Sequence, residues 1–320
     1  ILGTMMTLCS QSWMGMWMGL EINLLSIIPL ITNQNNKMES EAAMKYFITQ
    51  AMASAIFLMT IIMVLPLDNQ LSKIQSLAIN CAILTKMGAA PFHFWFPQVM
   101  EGLNWLNATV MLTWQKIAPM TILMQTNKST MFMSIIMLSA MMISGIMGIN
   151  QTSMKKILAY SSINHTGWMI GAMMTNQTTW VIYLVIYSLM TANITLMLKT
   201  MNMSTLTQFT NSMNNNKTTK LIFSMNFLSM GGIPPFVGFF PKWIIINSMI
   251  NENMFMLTTL MIVSTLMTIF FYIRITMMTM IVNQTETTTK LLKLKTPMIM
   301  KMNMVVLASL TIAPMMISFI

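Results

Sequence analysis

The 320-residue chain is poor in charge. Charged residues make up 8% of it, against 55% hydrophobic residues and a mean hydropathy of +0.67. A soluble domain carries about a quarter of its residues as charges, so an ordinary globular fold in water is excluded. Cysteine is scarce too: Cys9 and Cys81 stand far apart in apolar surroundings. No CxxC pair, iron–sulfur ligand set or disulfide framework can be assembled from them, so no redox centre is expected in this chain. No G-x-G-x-x-G follows a strand pattern, which removes dinucleotide binding. Arg274 is the only arginine, and no basic patch interleaves with aromatics, so nucleic acid is not an expected partner. No charged stretch precedes an apolar core at the start, and no signal peptide is expected.

What is abundant is methionine, 46 residues. Methionine is a flexible apolar filler, and most of these need no individual role. Together with the lack of arginine, the skew is what an AT-rich genome yields when ATA is read as methionine, as in animal mitochondria. Apolar runs of the length that crosses a bilayer fall near 12–31, 42–66, 71–96, 105–124, 130–149, 154–174, 179–200, 218–248, 254–282 and 297–320. Residues 1–10 read as the end of one more helix. Irregular backbone cannot face lipid, so the spans are expected to be helical throughout, apart from two interruptions. The polar stretches 201–217 and 283–296 read as connectors.

The cations are distributed unevenly among the connections. Alternate ones, starting at 32–41, carry eleven lysines: Lys37, Lys45, Lys155, Lys156, Lys199, Lys217, Lys220, Lys290, Lys293, Lys295 and Lys301. The others carry only Lys73 and Lys128. The positive-inside rule then places the lysine-rich connections in the compartment of synthesis, the matrix for an organelle-encoded chain.

Four charges remain near the middle of the spans, Glu21, Lys86, Lys116 and, less centrally, Lys242, while Arg274 lies nearer the matrix end of its own. Each costs roughly 2.5 to 3.5 kcal/mol on insertion scales, so a function is the default reading. The bland alternative is a set of buried ion pairs that only fix helix packing, but three lysines share one carboxylate. Burial lowers a lysine's proton affinity and a nearby carboxylate raises it, so a lysine held between the two can exchange a proton when its partner moves. His93 and His165 are possible members of the same relay, because imidazole passes protons near neutral pH. His165 sits in the polar stripe Ser161-Ser162-Ile163-Asn164-His165-Thr166.

The two interruptions are Lys86 through Pro97, with Pro91 inside it, and Gly231 through Trp243, with Pro234, Pro235 and Pro241. Proline removes a backbone donor, and such a break at membrane depth is tolerated only where protein or a watery cavity satisfies the freed carbonyls. With the N-terminal remnant counted as the first helix, the breaks fall five helices apart. Two successive five-helix units insert with opposite orientation, and paired broken helices in inverted repeats point to an ion site. The expected fold is an all-α polytopic membrane protein of about ten to eleven transmembrane helices. It comprises two inverted five-helix repeats (1–124 and 130–282), each with a broken helix, and a connector with a C-terminal helix (283–320).

Several of these segments are recognisable. Gly19-Leu20-Glu21-Ile22-Asn23, Lys86 through Pro97, Thr113-Trp114-Gln115-Lys116, Asn150-Gln151-Thr152 with Lys155-Lys156, Ser161 through His165 with Gly167-Trp168, and Gly231 through Pro235 with Pro241-Lys242-Trp243 resemble the subunit 2 family of mitochondrial NADH dehydrogenase, complex I, in an insect-like version. The resemblance covers essentially the whole chain. It implies an antiporter-like, proton-translocating subunit of the membrane arm, in the mitochondrial inner membrane. The family's mid-membrane glutamate falls on Glu21, its broken-helix lysine on Lys86, its central lysine on Lys116 and its second broken-helix lysine on Lys242. The implied partners are other membrane-arm subunits and lipid rather than a second copy of the chain. NADH, FMN, iron–sulfur clusters and ubiquinone would be bound by other subunits. Two rival functions are an independent sodium/proton antiporter and a membrane scaffold that does not pump.

Overall fold

The computed structural model describes residues 1–32, 36–64, 73–126, 129–213, 217–234 and 236–281. The connector 283–296, the C-terminal helix 297–320, and Lys128, Lys290, Lys293, Lys295 and Lys301 of the lysine count lie outside the described residues. Those described form α1 (Leu2–Cys9), α2 (Trp13–Ile31), α3 (Lys37–Val64), α4 (Lys73–Met87), α5 (Trp95–Gly102), α6 (Trp105–Leu112), α7 (Trp114–Gln125), α8 (Thr130–Ile149), α9 (Met154–Thr175), α10 (Gln177–Met201), α11 (Leu206–Met213), α12 (Lys217–Gly231), α13 (Phe239–Asn251) and α14 (Phe255–Ile281). Five of them, α2, α3, α8, α10 and α14, are each long and apolar enough to cross a bilayer unbroken.

Polarity runs opposite to that of a soluble protein. Met44, Phe47, Ile48, Met52, Ile56 and Met59 of α3 are exposed, whereas Tyr46, Gln50, Ser54 and Thr60 on its other face are buried. In α9 the whole polar stripe from Ser161 to Thr166 is buried. Water would reward the reverse arrangement, and a lipid solvent rewards this one. The chain is a multi-pass integral membrane protein.

Two compact units divide the chain, Ile1–Ala140 and Met141 onward. In the first, α3 packs against α2, α4 and α5, and α4 against α7. Two glycines let α1 and α2 touch backbone to backbone: a Cβ on Gly3 would come 2.7 Å from the Gly19 carbonyl oxygen, and one on Gly19 would come 2.6 Å from the Thr7 methyl. Trp17 then ties α2 to α3 by donating from Nε1 to the Ser54 carbonyl at 3.2 Å. In the second unit α9 packs against α10, α13 and α14, and α12 against α10 and α14.

The structure departs from the sequence reading at two places. Residues 105–124, expected as one helix, are two, because Thr113 leaves helical geometry at φ −112°, ψ −71°. Its hydroxyl donates back to the Thr109 carbonyl at 2.7 Å, and Pro119 further on withholds the amide that would bond Gln115. The connector 201–217 contains α11. A capping box starts it: the Gln208 side-chain oxygen accepts from the Thr205 amide at 3.4 Å, and the Thr205 hydroxyl accepts from the Gln208 amide at 3.4 Å.

One end of the second unit is laced together. Met154 donates its amide to the Ser204 carbonyl at 2.9 Å and Leu206 donates to the Thr152 carbonyl at 3.0 Å, around an antiparallel bridge between Ser153 and Thr205. The connections before α9 and before α11 therefore lie on the same side. Arg274 reaches that end as well, donating to the Gln151 carbonyl at 3.1 Å, and Lys220 donates to the Met280 carbonyl at 3.3 Å.

Candidate functional site

In the first unit the chain breaks after α4. Gly88 takes the left-handed conformation at φ +69°, where L residues are strained, and the Ala89 amide folds back to the Leu84 carbonyl at 3.1 Å. Pro91 then withholds the amide that would have bonded Met87. Lys86 lies on the last turn before this break, buried, and its own carbonyl accepts from Gln50 Nε2 at 3.3 Å.

Lys86 faces a cavity of about 20 Å³, room for a single water. Lys116, also buried, lines the same cavity, with Asn23, Tyr46, Gln50 and Gln115 as the other polar walls and Leu20, Leu24, Met87, Phe96 and Met111 among the apolar ones. The Lys116 ammonium stands 5.7 Å over the Phe96 ring. Asn23 Nδ2 donates to Gln115 Oε1 at 2.8 Å and Gln115 Nε2 donates back to Asn23 Oδ1 at 3.3 Å, which joins α2 to α7.

Glu21 is half-buried on α2 and does not line this cavity. Its Oε1 is buried without a hydrogen-bond partner, and no salt bridge within 4.0 Å joins it to Lys86, although it is near enough for the two charges to interact. His93 is buried within the break itself, where Nδ1 meets the Pro91 carbonyl at 3.3 Å and the ring stacks on Phe94 at 4.5 Å. It is not part of the cavity wall.

The second unit repeats the backbone device. After α12, Gly232 is left-handed at φ +76° and the Ile233 amide folds back to the Leu228 carbonyl at 3.4 Å. Pro235 by sequence withholds the amide that would bond Gly231, and that carbonyl accepts from Lys242 Nζ at 2.7 Å. Lys242 is buried at the start of α13 and its ammonium stands 5.9 Å over the Trp168 ring. Gly232 makes the room: a Cβ there would lie 2.8 Å from Nζ. One turn before Trp168 on α9, His165 Nδ1 meets the Tyr183 hydroxyl at 2.8 Å, with Tyr187 at 4.9 Å between ring centres.

The structure thus gathers Lys86 and Lys116 around one cavity and sets Lys242 over Trp168, one turn along α9 from His165. Glu21 and His93 stand beside the first group. Sequence reasoning missed Asn23, Gln50 and Gln115. The available signal was their type, amides on the buried faces of apolar helices beside the charges. Tyr183 was missed as well, and nothing local to 183 announces its partner. Among the described residues no group of three or more His, Cys, Asp or Glu could hold a metal ion.

Against known proteins, the family described as NADH:quinone oxidoreductase/Mrp antiporter, TM, matches residues 10–268. NADH-ubiquinone oxidoreductase chain 2 of Anopheles gambiae is 45% identical over 280 residues, 86% of this chain and 82% of the relative. The chain belongs to the NADH-ubiquinone oxidoreductase chain 2 family. Its member from Locusta migratoria is 42% identical over 291 residues, 89% of this chain and 84% of the relative. Among solved structures, a chain of the respiratory complex I from Thermus thermophilus with bound Aureothin matches with a TM-score of 0.82 at 23% identity, over 96% of this chain and 74% of that one. A chain of the Mrp complex from Dietzia sp. matches with 0.77 at 14% identity, over 86% and 58%. At those identities the structures establish a shared fold. For the chain 2 family, the similarity to insect members agrees with the insect-like character read from the motifs.

Proposed function

We propose that this chain is a proton-translocating membrane-arm subunit of an NADH:ubiquinone oxidoreductase in the mitochondrial inner membrane. Its protonatable stations are Glu21, Lys86 and Lys116 in the first unit and His165 and Lys242 in the second. The observation that carries the reading is the shared cavity of about 20 Å³ that Lys86 and Lys116 both line, two lysines buried in apolar helices. An ionisable side chain inside an apolar span is costly enough that a functional role is its default reading. Glu21 modulates Lys86 through space, and movement of that carboxylate changes how tightly Lys86 holds its proton. His93 is a side branch of the same path.

The two breaks support the layout of inverted five-helix repeats, 1–124 and 130–282, within ten to eleven transmembrane helices. The lysine-rich connections at 150–156 and 201–217 face the matrix. Electron transfer takes place on other subunits, which hold NADH, FMN, the iron–sulfur clusters and ubiquinone. This chain contacts neighbouring membrane-arm subunits and lipid, and it works as a single copy.

The test is Lys86→Met in the assembled complex. Assembly is expected to persist while proton transfer through this subunit falls on the order of a hundredfold, the low end for removal of a positioned proton-transfer group. An unchanged proton-to-electron ratio would assign the lysines to scaffolding. Ion exchange by the chain purified away from a complex would favour an independent antiporter.

A further inference from the structure

The amide pair Asn23–Gln115 has no protonatable group, yet it occupies the wall of the cavity that Lys86 and Lys116 share. Two amides bonded reciprocally each keep one N–H and one oxygen lone pair for a further partner. Asn23 is buried, Gln115 is half-buried, and both line the cavity. A third acceptor is close by. Pro119 lines the cavity and has no amide hydrogen, so the Gln115 carbonyl loses its helical donor. A cavity needs about 10–15 Å³ and two to four polar partners to hold a water, and both conditions are met.

We propose that Asn23 and Gln115 are positioning residues that hold one ordered water between Lys86 and Lys116. In this arrangement the water accepts a proton from one ammonium through its oxygen while releasing another to the neutral amine of the second lysine, so charge and atoms balance at each hop. The amides neither gain nor lose a proton. They fix the water's orientation, and because their pairing joins α2 to α7, a shift of the helix carrying Glu21 also moves the water. The inference rests on Lys86 and Lys116 being stations of the proton path.

The experiment uses the assembled complex with the native chain, Lys86→Met, Asn23→Leu, Gln115→Leu and the exchanged pair Asn23→Gln with Gln115→Asn. A density map of the native membrane arm is expected to show one water within hydrogen-bond distance of both lysine ammonium groups and an amide. In Asn23→Leu and Gln115→Leu that density is expected to vanish. Coupled turnover falls about tenfold, the effect of one lost oriented hydrogen bond in the transfer step. The solvent deuterium isotope effect on turnover rises, which mere loss of packing would not cause. The exchanged pair keeps both amides and their combined length, guards against misfolding of the leucine variants, and is expected to retain the water and pump near the native rate. Native density without the water overturns the proposal. So does native-rate pumping by Asn23→Leu when Lys86→Met has failed, and that outcome leaves the lysine relay standing. Native-rate pumping by Lys86→Met removes the relay itself.

Discussion

The two helix breaks are built alike and charged differently. Each follows a helix with a left-handed glycine, Gly88 or Gly232, and each folds the next amide back by five residues, Ala89 to Leu84 and Ile233 to Leu228. The following turn repeats too, Phe92 to Ala89 and Phe236 to Ile233, both at 2.9 Å. The lysines do not correspond. Lys86 stands two residues before its glycine, where the second unit has Met230; Lys242 stands ten residues after its glycine, where the first unit has the exposed Gln98. The two breaks thus share a backbone device and differ in where the lysine enters. The backbone supplies freed carbonyls in either case, and the side-chain sequence decides which arm delivers the cation. In the first unit the cation shares a cavity with a second lysine, and in the second it is docked on a carbonyl.

The largest expected consequence of this difference concerns Lys242. Lys242→Ala is expected to reduce coupled turnover on the order of a hundredfold. Lys242→Arg is expected to leave it equally low, because guanidinium holds its proton too tightly to exchange. Proton-pumping assays on the assembled complex check both, and full pumping by the arginine variant would show that charge alone matters there.

A smaller effect separates the glycines. Gly88→Ala and Gly232→Ala each place a side chain in a left-handed conformation, costing about 1–2 kcal/mol. The Cβ at 88 meets Phe96 at 3.1 Å, whereas at 232 it meets the ammonium of Lys242. Similar losses of thermal stability are expected, with a fall in pumping only for Gly232→Ala. Equal pumping losses would erase the distinction between the breaks.

The smallest effect concerns the Tyr183 hydroxyl at His165 in the second unit. Tyr183→Phe removes the hydroxyl at His165 and is expected to cost about 1 kcal/mol of stability, with less than a tenfold loss in turnover. Calorimetry together with the pH profile of turnover checks it. A loss as large as that of Lys242→Ala would move Tyr183 into the relay.

Legibility in the sequence followed the locality of each cause. Both breaks could be placed from Pro91 and from Pro234 beside glycines, since proline and glycine act within one turn. α11 was legible in principle from Thr205 and Gln208, a capping box, but its surroundings are polar and read as connector. The break at Thr113 was not legible, because a single threonine in an apolar run signals nothing until its hydroxyl bonds backward. The cavity and the His165–Tyr183 contact join residues from different helices. Period and composition show that such residues are buried without showing what they meet.

The bridge between Ser153 and Thr205 acts as a register pin. It closes α9, α10 and the turn between them into a ring, so α9 cannot slide along α10 without breaking backbone hydrogen bonds at the rim. His165 lies twelve residues along α9 from Ser153, about 18 Å at the helical rise, where it meets Tyr183 of α10. The bridge thus fixes the register of two helices whose side chains meet twelve residues further along, at His165 and Tyr183. A disturbance at the loop, such as proline at position 154 or 206, would be felt at the imidazole without touching it.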